Sequence, residues 1–326
     1  MFMVVYTGDS MITRSLCPVC YKVIEADVAL GAVVHMIKIC PEHGYFVGMV
    51  ERDPEWYLWC LQQKCKSFYD GYMIDVTSRC NLRCKYCYYP CNGSDRPKED
   101  IIAEASDHAY DAPFILTGGE PTLHPDLPEI VRRLNIMGET WLLTNGVKLT
   151  EGDLFEQLCT AGIRSGSVAA IALSFHKEGN GADRRVLEMA RERGMKIGSS
   201  FWVIDDVAQI DEAVNTYREF KDVLCSMRIK AASSLWNTKE TAAKIFVSDM
   251  LKYMKKMNVM LNAKGNNKLN YANVTVEEMD IKLVSWYDRS NVDLNDINCP
   301  PYYRALDGTV NNLVTTGLIN EGISRS

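Results

Sequence analysis

The chain reads as an α/β protein: a partial (β/α)6 barrel on a parallel sheet, preceded by a small zinc-ribbon-like module. Three observations predict this. From residue 72 onward, short apolar runs alternate with amphipathic stretches, the pattern of parallel strands joined by right-handed helical crossovers. Six such units suit an open or partial barrel better than a closed eightfold one. Ahead of them stand two Cys-x-x turns, Cys17-Pro-Val-Cys20 and Cys40-Pro-Glu-His43, a paired-knuckle pattern in which each turn supplies two metal donors. The 326 residues thus divide into a metal module with a linker helix over 1–68, a core over 69–260 and a C-terminal extension over 261–326.

Strands are expected near Tyr72–Val76, Pro113–Thr117, Thr140–Thr144, Val168–Phe175, Lys196–Ile204 and Ser226–Ala232. Helices are expected at about 97–108, 126–138, 150–162, 181–194, 208–222 and 239–257. In the second helix Leu127, Ile130, Val131 and Leu134 recur at the helical period and form one buried stripe. Thr150-Glu-Gly-Asp153 resembles a capping box and predicts the third helix start, while Gly194 closes the fourth. Phe246, Met250, Tyr253 and Met257 continue the pattern in the sixth. In parallel α/β architectures ligands gather at the carboxyl ends of strands, so those ends are where function is sought.

A 47% apolar composition over this length supports a full core plus a small module. No apolar run approaches the ~18 residues of a transmembrane helix, and the start lacks the basic segment of a secretory signal. The expectation is a cytoplasmic protein with no transmembrane segment. Net charge is −6 and no basic run of five or more occurs, so a nucleic-acid partner is not expected. Lys252, Lys255 and Lys256 read as the wet face of a helix. Of twelve cysteines, seven lie in or beside two metal-type clusters, which favours reduced thiols serving metals over a disulfide scaffold.

The richest motif is Cys80-Asn-Leu-Arg-Cys84-Lys-Tyr-Cys87, directly after the first strand. Three thiolates from one short loop can hold three irons of a four-iron four-sulfur cluster and leave the fourth iron without a protein ligand. Alone, such a triplet also fits a zinc knuckle or a closed ferredoxin-type cluster. Thr117-Gly-Gly-Glu-Pro121 ends the second strand, where glycines let backbone carbonyls approach a ligand and a carboxylate offers a counter-charge to an ammonium group. An isolated Gly-Gly-Glu reads equally as a solvated turn. Thr144-Asn145-Gly146 closes the third strand and Ser174 the fourth; turn chemistry alone also explains Asn-Gly.

With these motifs in order, and Tyr86 just before the last cysteine, the chain resembles the radical S-adenosylmethionine (SAM) superfamily, whose core is a six-unit TIM-type partial barrel. The resemblance implies Cys80, Cys84 and Cys87 as cluster ligands, through which they are catalytic. It implies Tyr86, Thr117, Gly118, Gly119, Glu120, Pro121, Thr144, Asn145 and Ser174 around SAM, with Ser200 and Arg228 on later strands as further candidates. A strand arginine packed on a helix is the competing reading of Arg228. The reaction implied is one-electron cleavage of SAM to a deoxyadenosyl radical that takes hydrogen from an unreactive carbon, with an electron donor such as flavodoxin or ferredoxin.

In the N-terminal module, Cys17, Cys20, Cys40 and His43 suit tetrahedral zinc, with a second iron site or unligated thiols in a hairpin as alternatives, and Gly44 permits the tight turn. Cys60 and Cys65, four residues apart, match no tight metal turn and read as mostly structural; Cys91 is an auxiliary ligand or a neighbouring thiol; Cys159, Cys225 and Cys299 are solitary. Ser15-Leu-Cys-Pro-Val-Cys20, Cys40-Pro-Glu-His-Gly44 and Asp75-Val-Thr-Ser-Arg-Cys80 together look like the branch holding tetraether lipid synthase and archaeal pterin-methylating enzymes. That implies alkyl-chain coupling of a lipid or methylation of a pterin-like heterocycle. A peptide-modifying enzyme, and a metal-ribbon binding protein with an inactive barrel, are the competing readings.

Overall fold

Two sheets organise the chain. The computed structural model describes residues 10–20, 22–62, 71–87, 89, 91, 93–108, 113–165, 168–175, 177–232, 244–257, 262–265, 271–276, 279–284, 302–304 and 310–312. Cys65 and Cys299 lie outside the described residues.

The first sheet is antiparallel, with strands β1 (Ser10–Leu16), β2 (Val23–Ala29), β3 (Val34–Cys40) and β4 (Gly44–Glu51) in sequential order. Helix α1 (Pro54–Gln62) covers one face. Alternation in the strands sends Ala26, Val28, Val34, Met36 and Val50 to that face, where they pack with Tyr57 and Cys60. Cys60 is therefore core, as its spacing suggested.

The second sheet holds β5 (Tyr72–Thr77), β6 (Phe114–Gly118), β7 (Thr140–Thr144), β9 (Val168–Phe175), β10 (Lys196–Ile204) and β11 (Ser226–Ala231) side by side and parallel, with a short β8 (Arg164–Ser165) paired to β9. Between them run α2 (Lys98–Asp107), α3 (Leu127–Leu134), α4 (Leu154–Ala161), α5 (Ala182–Glu192) and α6 (Ile210–Glu219), with α7 (Val247–Lys256) after β11. Leu127, Ile130, Val131 and Leu134 are all buried, the predicted stripe. Burial of such a stripe, not propensity, holds helices this short in place.

Two expectations are corrected. Thr150 does not cap α4: it ends a 3-10 turn, Lys148–Thr150, donating its hydroxyl to Val147, and the helix starts only after Asp153. The last helix starts at Val247 rather than near 239, because Phe246 is extended and the Asp249 carboxylate accepts its N–H.

The extension adds strands β12 (Asn262–Gly265), β13 (Tyr271–Val276), β14 (Met279–Val284), β15 (Tyr302–Arg304) and β16 (Val310–Asn312). β14 pairs parallel to β11 and β15 parallel to β5, so both edges of the six-strand sheet are continued by later chain. Edge strands otherwise expose unpaired backbone groups. No described helix is long and apolar enough to cross a membrane.

The ribbon docks on α7. The buried Glu51 accepts from the Ser248 hydroxyl and from the N–H groups of Arg52 and Asp53; Arg52 pairs with Asp249 at 3.0 Å, and Lys252 with Asp53 at 2.9 Å. Burial pushes the Glu51 carboxyl up to about 7, against the pull of these donors.

Candidate active site and metal centre

The ribbon brings Cys17, Cys20, Cys40 and His43 to one point, their donor atoms all within 4.8 Å of one another. Individual separations are 3.9 Å for Cys20 to Cys40, 3.5 Å for Cys40 to His43 Nδ1 and 3.8 Å for Cys17 to His43 Nδ1. A zinc tetrahedron with bonds of about 2.3 Å has edges of about 3.8 Å, close to these three separations. Gly44 makes the turn after His43 with φ +81°, left-handed backbone that a side chain would strain. Against the penalty of burial, the N–H groups of Cys20 and Val19 hold the Cys17 thiol below its usual range, and the His43 ring foremost lowers that of Cys40. Both shifts favour the thiolates a metal needs.

At the barrel mouth a cavity of about 510 Å³ is lined by Cys80, Cys84 and Cys87 on one side and by strand ends on the other: Thr117 to Glu120, Thr144, Asn145 and Ser174. The two motifs touch through backbone. Gly119 N donates to Thr77 O at 2.8 Å and Glu120 N to Arg79 O at 2.7 Å. A Cβ on Gly118 would lie 2.2 Å from Thr77 O, and one on Gly119 2.2 Å from Arg79 O. Only glycines let β6 sit this close to the segment entering Cys80, which is why both are needed.

Glu120 is 1% exposed, and its carboxylate accepts from Thr122 N, the Thr122 and Thr144 hydroxyls and Asn145 N, at 2.6 to 3.1 Å. Three of the donors converge on Oε1 and the fourth, Asn145 N–H, meets Oε2. Glu120 thus joins the ends of β6 and β7, with Pro121 opening the 3-10 turn that follows. Burial raises its pKa, and the four donors oppose that. Asn145 also reaches the cysteine loop, donating to Asn81 Oδ1 at 2.8 Å.

Other ties fix the loop from outside. Tyr86 OH donates to Asp205 at 3.0 Å, Lys85 lies 3.6 Å from the same carboxylate, and Lys85 N donates to Glu178. The buried Tyr89 donates to Asp75 at 3.0 Å, and its carbonyl oxygen stands 3.7 Å from the sulfurs of both Cys87 and Cys91. Burial, then the Glu178 charge and the neighbouring thiols, pushes Cys84 up to about 12; burial, then the charge of Cys87, does the same to Cys91. Three partly buried thiols near enough to oppose one another's ionisation call for a cation to hold them as thiolates.

A profile described as the radical SAM superfamily matches residues 74–219, and one described as the HMPTM N-terminal zinc ribbon domain matches residues 10–52. Residues 74–219 thus form a radical SAM domain and residues 10–52 an N-terminal zinc ribbon. It is 32% identical over 188 residues to a 7,8-dihydro-6-hydroxymethylpterin dimethyltransferase of Methanocaldococcus jannaschii, covering 46% of this chain and 37% of that one. It is 30% identical over 175 residues to a GTP 3',8-cyclase of Aquifex aeolicus, covering 48% and 54%. The chain therefore spans about a third to a half of the length of these relatives. The crystal structure of Streptococcus suis SuiB bound to precursor peptide SuiA aligns over 59% of this chain and 46% of that one, at 19% identity and a TM-score of 0.46.

A radical SAM domain implies a four-iron four-sulfur cluster and SAM, and a zinc ribbon implies zinc. The donor chemistry fits each group: three soft thiols on one cavity wall, a glycine cradle beside them, and a closed Cys3His set in the ribbon. Two sequence candidates stand elsewhere. Ser200 is fully buried and does not reach the cavity, which β10 lines only from Phe201 onward. Arg228 does not line the cavity and has its guanidinium over the Phe201 ring. Sequence reasoning missed Lys85, Glu178, Asp205, Tyr89 and Lys230. Asp205 and Glu178 follow the ends of β10 and β9, so the strand-end rule that picked Ser174 could have found them.

Proposed function

We propose that this chain is a radical SAM enzyme that methylates or otherwise functionalises a small pterin-like heterocycle. The observation that carries the reading is the single cavity shared by Cys80, Cys84 and Cys87, the Gly118-Gly119 cradle and the polar strand ends. When bound there, cluster and SAM supply one-electron cleavage of the sulfonium to methionine and a deoxyadenosyl radical. The chain's own residues do the rest. Cys80, Cys84 and Cys87 hold the cluster. The carbonyls around Gly118 and Gly119 accept from the SAM ammonium group, with Thr117 and Tyr86 beside them. Glu120 acts as a positioning residue that fixes these carbonyls and the Thr144-Asn145 turn, while Ser174 offers a hydroxyl to the ribose or carboxylate. Cys17, Cys20, Cys40 and His43 hold zinc.

A polar heterocycle is favoured over lipid chains by the charged side chains Lys85, Glu178, Asp183, Arg184, Asp205 and Lys230 along the cavity, which offer heteroatoms partners that alkyl chains would leave unused. Phe175 and Trp202, stacked with ring centroids 4.1 Å apart, add a flat aromatic wall suited to a planar ring. The named activities of the dimethyltransferase and cyclase relatives, both on fused heterocycles, agree. The division at residues 68 and 260, a cytoplasmic location and a flavodoxin- or ferredoxin-type electron donor belong to the same proposal.

The test is anaerobic incubation of reconstituted protein with SAM, dithionite and 7,8-dihydro-6-hydroxymethylpterin. The reading expects deoxyadenosine release and a methylated pterin by mass spectrometry. No deoxyadenosine release would refute the enzyme; release with no change to the pterin would refute the substrate.

A further inference from the structure

Resting on the assignment of Cys87 to the cluster, we propose that Cys91 is a reserve thiol for it: when oxidation strips the iron, Cys91 takes Cys87 into a disulfide that can be reduced and the site reloaded. Three thiols of this loop, Cys80, Cys84 and Cys87, line the cavity. Cys91 does not line it, so it stands outside the set the cluster uses. It is nevertheless in touch with that set. The Tyr89 carbonyl oxygen is 3.7 Å from the sulfurs of both Cys87 and Cys91, and the two thiols meet side chain to side chain. Tyr89 is buried and anchored, its hydroxyl on Asp75 at 3.0 Å, so the acceptor shared by the two thiols is a fixed point of the loop. The Cys80 sulfur takes a different partner, the Leu82 N–H at 3.4 Å.

Cys87 and Cys91 are both half-buried, and the chain just beyond them, Gly93 to Asp95, is exposed, so a small oxidant reaches the pair from solvent. The chemistry balances with hydrogen peroxide as that oxidant. Peroxide takes the Cys87 thiol, freed by iron loss, to a sulfenic acid and is itself reduced to water. The Cys91 sulfur then attacks the Cys87 sulfur, the S–O bond breaks, and a second water leaves as the disulfide forms. Two electrons have passed from two thiols to one peroxide. A sulfenic acid with no thiol beside it goes on to the sulfinic acid, which thiols do not reduce, and a ligand of the cluster is then lost for good. Cys91 lies only four positions past Cys87, so closing the bond orders little chain.

The experiment exposes reconstituted full-length holoenzyme to hydrogen peroxide, maps its cysteine products by mass spectrometry, and measures the iron regained after dithiothreitol and a second reconstitution. Wild type is expected to give a Cys87–Cys91 disulfide as its main product in this loop and to regain most of its iron. Cys91→Ser should start with wild-type iron, zinc and melting temperature, carry Cys87 as the sulfinic acid after peroxide, and regain at least about threefold less iron. Cys91→Ala serves where Cys91→Ser folds poorly. Loss of iron from both variants before any oxidant is added makes Cys91 a ligand and overturns the proposal. So does a treated wild type in which Cys87 pairs with Cys80 or Cys84 or stays unpaired, and so does equal recovery of iron by wild type and variants. The readouts are iron and thiols, so failure of the pterin chemistry leaves the proposal standing, whereas a wild-type chain that holds no iron before peroxide sinks the cluster reading and the proposal with it.

Discussion

The ribbon and the barrel mouth both gather cysteines, yet they do so in opposite ways. In the ribbon, four donors come from two turns on one antiparallel sheet and meet at tetrahedral spacing, a set closed on itself. At the mouth, three thiols sit on a loop whose shape is fixed from outside, by Gly119 and Glu120 after β6, Asn145 after β7, Glu178 after β9 and Asp205 after β10. A closed donor set stabilises a fold, whereas a set one ligand short, held rigidly against a cavity, leaves a coordination position for chemistry.

Substitutions should separate the two regions. The largest effect is expected for Cys84→Ala, which should lower SAM cleavage at least about a thousandfold in a deoxyadenosine assay while zinc content is kept. Full cleavage in that variant would erase the distinction. Cys17→Ala should do the reverse, removing zinc and costing at least about 5 kcal/mol of ribbon stability, read from metal content and thermal melting. Unchanged zinc and melting temperature would contradict it. Glu120→Gln replaces one carboxylate oxygen by an amide NH2, which faces the Asn145 N–H if the amide oxygen keeps the three donors on Oε1, and should cost about 1–3 kcal/mol and raise the KM for SAM. A variant with wild-type melting and KM would remove Glu120 from its positioning role.

The joint between the regions should respond to pH. The folded Glu51 pKa of about 7 lies above its ordinary 4.5, so the folded state holds the proton more tightly. Its contribution is fully present below about pH 4.5 and is lost as pH rises through 7, a change of about 3 kcal/mol. Denaturation midpoints across that range should fall with rising pH in wild type and lose this component in Glu51→Gln; an identical slope in both would contradict the assignment. The smallest effect is expected for Asp205→Asn, which keeps a hydrogen-bond acceptor for Tyr86 but drops the charge facing Lys85. A stability loss of about 1 kcal/mol or less, with faster loss of the cluster in air, would fit a loop held from outside. Unaltered air sensitivity would argue that the loop holds itself.

Most of this was legible in the sequence, for identifiable reasons. The six strands were readable because each is a short apolar run ending in a polar or glycine turn, and the metal sites because thiols at fixed short spacings have few other uses. What escaped was long-range. Nothing local in Tyr86 or Asp205 reveals that residues 119 positions apart share a hydrogen bond. Glu120 read as a counter-charge because its motif is local, while the Thr144 and Asn145 donors that occupy it come from the next strand. Thr150 failed as a cap because a 3-10 turn takes its hydroxyl, an alternative that hydroxyl side chains always offer near helix starts. Ser200 stops short of the mouth because β10 runs on to Ile204 and only its residues from Phe201 onward line the cavity, and where a strand ends is set by its neighbours in the sheet.

The central claim is an iron corner that the polypeptide leaves open, and electron paramagnetic resonance of the reduced, reconstituted protein tests it most directly. With about four irons and one zinc per chain, addition of SAM should change the cluster spectrum, and methionine carrying 15N in its amino group, converted to SAM, should give a hyperfine coupling to iron. A reduced cluster whose spectrum is identical with and without SAM would contradict the account.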